Sequence, residues 1–353
     1  MNRFRNRYLM LLYVKMIFII FSCKYSDTKV ITIDEFPNNI EIHTTELDEI
    51  FLDCPERFNL VNGLLVTTTN CNENLLKIID PEKGYFERFI AKGSGPGEFL
   101  QLYFSGHRQG DSLYFRNLSG EGAWLHPVKI KENPNYEFTR INEPDFLANA
   151  ENVFHFETSW AYTDLNGESF MIIKDKHGVE LQRVEHFPPV SYPVEGATKG
   201  YLYYSNTTYN DHHRKFVSGL RYFPYLIITN HDGAVVRIIK TGKEYAEPVI
   251  RQGELTPQSD TEYFYDQVVT TDEYIYALRM NTTLEVLSSL QFNPVLEVFD
   301  WSGNAMYELQ FDRLVGGITI DNENGFMYGG SICYERYVPV LVRATIDANF
   351  SDK

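Results

Sequence analysis

The sequence predicts an all-β protein: a six-bladed β-propeller of four-stranded antiparallel blades, its last blade completed by an N-terminal strand. Three observations predict it. Val, Ile, Tyr, Phe and Thr are concentrated in runs of four to eight residues, separated by clusters of Asn, Asp, Gly and Pro, which is the punctuation of strands and turns. No long helical period interrupts these runs, so helix content should be very low. A hairpin unit also recurs: an apolar strand, Asp or Asn, Gly three or four residues on, and a second alternating strand.

Four copies of the hairpin are clear: Leu75–Asp80 to Gly84–Phe89, Phe170–Ile173 with Asp175 to Gly178–Leu181, Tyr225–Asn230 to Gly233–Ile238, and Val295–Asp300 to Gly303–Tyr307. Asp or Asn can bond the backbone two residues on, and Gly accepts the positive φ that closes a short turn. The glycines are 94, 55 and 70 residues apart. These spacings fit two units, one unit, and one unit with an insertion, at a period suited to four strands per blade.

Each hairpin should form the outer half of a blade whose two inner strands precede it. Phe58–Thr67 supplies them for the first copy, and Tyr263–Thr270 with Tyr274–Leu278 for the last. A weaker blade lies between, with Ser112–Phe115, Trp124–Ile130 and Tyr136–Ile141; the next must use Phe154–Phe156 and Trp160–Tyr162 as inner strands. At the C-terminus Gly317–Ile320, Gly325–Tyr328 and Val338–Val342 make three strands without a fourth. Val30–Ile33 is expected to supply it, because a ring must hide its terminal edges. The expected limits are 46–91, 92–143, 144–188, 189–243, 244–311, and 312–347 with 28–36. A two-sheet sandwich is the competing architecture.

The 353 residues are 43% hydrophobic, with 25 Phe, 24 Tyr and 3 Trp, which excludes a disordered chain. A formal charge of −16 without a basic cluster argues against nucleic acid as a partner. The first 22 residues carry Arg3, Arg5, Arg7 and Lys15, no acid, and two apolar runs, Leu9–Val14 and Met16–Phe21. They read as a secretory signal and fall short of a membrane-spanning helix. Met10 or Met16 could equally be the start. Ser22 directly before Cys23, with Ile20 upstream, resembles the bacterial lipobox, so Cys23 is the expected lipidation site; an ordinary signal with an incidental cysteine is the alternative. The expected division is signal 1–22, lipidated tether and closing strand 23–45, and propeller 46–350. Cys54, Cys71 and Cys333 are odd in number and lack CxxC spacing. With Cys54 and Cys71 assigned near opposite ends of a strand, all three are expected to be buried or idle thiols.

Ala91-Lys92-Gly93-Ser94-Gly95-Pro96-Gly97-Glu98-Phe99 leaves one blade and enters the next. This connection resembles the junction of NHL-type repeats. Together with the signal and lipobox it makes the chain similar to the six-bladed TolB-like and NHL-like propeller lipoproteins of Bacteroidetes. The resemblance spans nearly all of the chain after the signal and implies the fold and export, but no definite activity. A phosphate-loop reading of the glycines fails, because Glu98 and Phe99 follow where Gly-Lys-Ser/Thr and a helix would be needed.

No HExxH, GxSxG or zinc-type spacing exists among the nine histidines, so no catalytic residue, metal ligand or cofactor is assigned. His212-His213-Arg214 reads as a solvated loop between the first two strands of the fourth blade. Asp321-Asn322-Glu323-Asn324-Gly325 resembles the start of a calcium loop but lacks the distal Glu and the helices, and an Asn/Gly turn explains it. Two long connections, Arg279–Asn293 and Thr241–Thr261, should converge on one mouth of the ring, with Tyr334–Tyr337 beside them. Arg279, Tyr334, Arg336 and Tyr337 are therefore the expected ligand-binding groups. The expected protein is a monomeric, lipid-anchored cell-envelope binding module for a protein, peptide or glycan. A metal-assisted hydrolase or lyase with a cation in the channel, and a purely structural envelope component, are the rivals.

Overall fold

Three strands, β1 (Val30–Ile33), β2 (Asn39–Ile42) and β3 (Thr45–Phe51), precede the first blade. In the computed structural model, which describes residues 30–346 apart from 70, 96–97, 118–120, 131–132, 243–244, 252, 291 and 334–337, they are dealt to three different sheets. β3 pairs antiparallel with the last strand of the sixth blade and so joins the two ends of the ring. β1 instead pairs parallel with the outer strand of blade 4, and β2 with that of blade 5. Val30–Ile33 therefore does not complete the last blade. The closing strand is Thr45–Phe51, which directly precedes blade 1 in the chain and so already lies beside blade 6.

Blade 1 comprises β4 to β7 (Pro55–Val61, Leu64–Thr69, Asn74–Asp80, Tyr85–Ala91) and blade 2 β8 to β11 (Tyr103–Gln109, Ser112–Asn117, Glu121–Ile130, Asn133–Asn142). Blade 3 is β12 to β15 (Ala150–His155, Ser159–Asp164, Met171–Asp175, Glu180–Val184), and blade 4 is β16 to β19 (Ser205–Asn210, Lys215–Leu220, Tyr225–Asn230, Val235–Thr241). A small hairpin of β20 (Ile250–Arg251) and β21 (Glu254–Leu255) interrupts the connection to blade 5. Blade 5 is β22 to β25 (Glu262–Thr270, Tyr274–Thr283, Val295–Asp300, Ala305–Phe311). Blade 6 is β26 to β28 (Gly316–Asp321, Phe326–Cys333, Val338–Thr345) closed by β3. Two short helices, α1 (Gly196–Leu202) and α2 (Leu284–Ser289), sit in connections.

The turns obey the predicted chemistry. Asp300 Oδ1 accepts from the amides of Ser302 (2.8 Å) and Asn304 (2.9 Å), and Gly303 has φ +83°. At Gly233 a side chain is excluded twice: φ is +87°, and a Cβ would lie 2.5 Å from Gln182 Cγ of blade 3. This hairpin turn therefore packs against the preceding blade.

Among the described residues there is no single core. Six buried apolar clusters occupy the six interfaces between successive blades; Val66, Leu76, Leu113 and Leu125 lie between blades 1 and 2, and Ile50, Leu65, Ile79 and Leu341 close the ring between blades 6 and 1. Strand alternation gives each blade two apolar faces, and each face is covered only when the next blade is present.

The glycine-rich junction after blade 1 is a self-bonded turn. Gly95 N–H donates to Glu98 Oε2 (2.7 Å), Gly93 N–H to Phe99 O (2.9 Å), and Phe99 N–H to Ala91 O (3.2 Å). The buried Phe99 packs on Phe138 with ring centroids 5.6 Å apart. The Glu98 carboxylate takes up an amide that a phosphate reading would have offered to a ligand.

Cys54 and Cys71 form a disulfide, with Cα atoms 5.9 Å apart, and are not the idle thiols expected. Cys54 precedes β4 and Cys71 follows β5. In an antiparallel hairpin the start of the first strand lies beside the end of the second, so the two cysteines share one end of the blade.

Candidate functional site

The connections between blades and those joining second and third strands open onto one face of the ring, and the tight turns onto the other. Each face has a central concavity. The first, about 710 Å³, is built from the starts of β4, β8, β12, β16 and β26 and the ends of β5, β9 and β27. The second, about 680 Å³, is lined by the first-to-second-strand turns of blades 1, 2, 4, 5 and 6.

Between the two cavities, inner strands of non-adjacent blades touch. Thr208 Oγ1 donates to Gly106 O (3.4 Å), joining blades 4 and 2, and a Cβ at Gly106 would come within 2.2 Å of Thr207 O. Arg57 of blade 1 donates to Asn206 Oδ1 of blade 4. Asn152 Nδ2 donates to Ser205 O (2.8 Å) and Asn206 Nδ2 to Tyr265 O (3.4 Å). These bonds floor the first cavity with buried amides whose orientation is held by backbone groups.

Its walls carry charge of both signs. Arg116 is held bidentately by the buried Glu143 (2.8 and 2.7 Å) and also donates to Ala150 O (2.6 Å). Glu56 Oε2 accepts from Thr68 Oγ1 (2.7 Å) and Glu151 Oε1 from Tyr204 O–H (2.8 Å). The Arg221 guanidinium lies 4.3 Å from the centre of the Tyr204 ring. Burial, then the nearby Glu151, pushes the Tyr204 phenol up to about 12. Tyr103 is raised by burial and by Glu56 and Glu151. Both phenols therefore remain protonated and able to donate at neutral pH. The disulfide lies at this same rim, since Cys54 adjoins Pro55 and Glu56 of the lining.

Arg279 is not at this mouth. The second strand of blade 5 runs on through Thr283, and the α2 helix, capped by Thr283, occupies what was expected to be an irregular Arg279–Asn293 loop. The Arg279 side chain pairs with buried Glu297 (2.8 Å) and with Glu308 (3.7 Å). Tyr265 O–H donates to Glu297 Oε2 (2.7 Å) and bonds Thr241 of blade 4 (2.7 Å). The guanidinium thus belongs to a network on the face that blade 5 turns toward blade 4. Tyr334, Arg336 and Tyr337, like Cys23, lie outside the described residues; Ile332 and Pro339 on either side of the first three line the cavity. Glu56, Arg57, Tyr103, Glu151, Tyr204, Arg221 and Asp266 were missed, although all but Asp266, which stands in the middle of β22, lie at an inner-strand end or a blade junction, where a propeller mouth must be built.

The turn His212–Arg214 falls between β16 and β17 as expected, with His213 stacked on Trp301 (4.2 Å) and His212 exposed beside Asp272. Asp321 and Asn324 bond each other, Asn324 N–H and Nδ2 donating to the two carboxylate oxygens (3.2 and 2.9 Å), so the calcium-like segment is a closed turn. Among the described residues no three His, Cys, Asp or Glu side chains are grouped to hold a metal ion.

A closed ring of six blades with a polar concavity at each mouth defines a class of six-bladed propeller proteins. The chain belongs to the TolB-like 6-blade propeller-like family, whose profile matches residues 34–323. No curated protein matches it by sequence. Among solved structures it is similar to a protein of Bacteroides fragilis NCTC 9343 assigned as exported (11% identity, TM-score 0.56, covering 90% of this chain and 100% of that one). It is also similar to a DUF4221 family member from Bacteroides vulgatus (10% identity, TM-score 0.55, covering 86% and 95%). At such identities the likeness is one of fold.

Proposed function

We propose that the chain is an extracytoplasmic, lipid-anchored binding module that takes a protein, peptide or glycan segment at the 710 Å³ mouth and performs no chemistry of its own. The carrying observation is the lining itself. Arginines, carboxylates, phenols and backbone-held amides converge on one preformed concavity of ligand size.

Export is supported by the Cys54–Cys71 disulfide, a bond that persists in oxidising compartments, and by the exported assignment of the Bacteroides fragilis protein. Lipidation rests on Ser22-Cys23 alone. Cys23→Ser should move the protein from the membrane to the soluble fraction; retention in the membrane would remove the anchor. For the binding role, the Tyr103→Ala, Glu151→Gln double variant should lose retention on peptide and glycan arrays that bind the parent. Asp272→Asn, at the other mouth, should not. Equal retention by all three proteins would overturn the assignment of this mouth.

A further inference from the structure

Within the 710 Å³ cavity the charges are not all matched. Arg116 is neutralised by Glu143 at 2.7 Å. Arg57, by contrast, donates to the neutral amide oxygen of Asn206, and Arg221 lies on the Tyr204 ring. Among the described residues neither forms an ion pair with a carboxylate within 4.0 Å, in a chain carrying 48 acidic against 32 basic side chains. Arg57 is held at Asn206 and Arg221 at Tyr204, two positions apart at the start of β16, and both line the cavity. Two guanidiniums converging there form a receptor for a carboxylate, which Arg binds through paired N–H donors.

The rest of the lining bears the opposite sign. Glu56 and Glu151 flank Tyr103, and Asp266 lies in the same wall. A glycan with a carboxylate on every sugar would meet these three acids. The Tyr204 face on which a sugar ring could stack is already covered by Arg221. A ligand with one anionic and one cationic end matches both signs.

The geometry points to a short zwitterionic peptide as the occupant, its C-terminal carboxylate on Arg57 and Arg221 and its ammonium toward the carboxylates. This rests on the reading of this mouth as a binding site. The cavity volume is within the range of pockets that enclose small ligands, roughly 300–1,000 Å³.

Calorimetric titration at low salt with tetra-alanine, its C-terminal amide, its N-acetyl form and tetragalacturonic acid tests the assignment. The free acid should bind roughly tenfold or more tighter than the amide, as expected for one charge-assisted bond pair, and N-acetylation should also weaken it. Arg57→Gln and Arg221→Gln, melting at the parent's temperature, should each lose the preference for acid over amide. If either melts lower, Arg221→Lys, which retains the charge but not the paired donors, should bind with reduced preference. Equal affinity for acid and amide, a preference that survives both glutamine variants, or no binding of any peptide at millimolar concentration would overturn the peptide assignment. Tight binding of tetragalacturonic acid, lost in the arginine variants, would overturn it while leaving the mouth a binding site.

Discussion

His107 lies on the inner strand of blade 2, fully buried, with the rings of Trp124, Phe154, Phe156 and Tyr209 centred 4.8 to 5.8 Å away. Its Nδ1 accepts from the amide of His155 (3.0 Å), which requires the neutral ring. Burial, and then the neighbouring His155 and His231, holds its pKa down at about 3. His155 and His231 are themselves lowered, chiefly by burial. The unfolded chain takes up these protons near pH 6.5, whereas the folded chain takes them up at lower pH, for His107 only near 3. The neutral histidines' contribution is therefore intact above about pH 6.5 and is lost as pH falls toward 3, for His107 at up to about 1.4 kcal/mol per pH unit. Urea midpoints at pH 7.5 and pH 5 should show a large drop in the parent and a smaller one in His107→Phe; equal drops would show that this ring does not titrate on unfolding. Arg279 teaches a related lesson about reading single residues. Ile275, Ala277 and Arg279 alternate onto one face of a strand, and Glu297 stands on the same face of the next. Opposite charges so placed are a cross-strand pair, and that signal was present in the sequence.

At the scale of the element, the hairpin of β4 and β5 sets the rim of the candidate site. Its first strand carries Glu56 and Arg57, its second carries Thr68, and the disulfide ties the two at the mouth. Cys54 and Cys71 are 17 residues apart, and a cross-link of that loop length contributes about 3 kcal/mol. The Cys54→Ser, Cys71→Ser double variant should unfold at lower denaturant by that amount, and mass spectrometry of the unreduced parent should find the two cysteines in one linked peptide. A parent with both thiols free would overturn the pairing and, with it, the redox support for export. Spacing alone could not reveal the bond, because it depends on which residues begin β4 and end β5. A shift of the assigned limits by a few residues was enough to place the cysteines at opposite ends of a strand.

For the whole molecule, closure is the decisive event. Removing residues up to 42 would strip β1 and β2 from blades 4 and 5 but leave the antiparallel latch of β3 in blade 6. Such a protein should stay folded, with more aggregation by light scattering than the parent because two sheet edges are bared. Removing residues up to 52 should abolish cooperative unfolding, since β3 and Leu52 of the cluster between blades 6 and 1 are lost. A cooperative transition in the shorter protein would show that the ring needs no latch. Blade number, blade order and the turns were legible because they depend on strand alternation and on Asp, Asn and Gly at hairpin positions, which are local in the chain. The choice of Thr45–Phe51 as latch, the disulfide and the convergence of Arg57, Glu151, Tyr204 and Arg221 were not. Each brings together residues remote along the chain or turns on the last residue of a strand, and backbone pairing across the closed ring decides them. The sequence by itself determined how many sheets form and in what order; only the tertiary structure decided which side chains meet at the axis, because that depends on where every blade stands once the ring has shut.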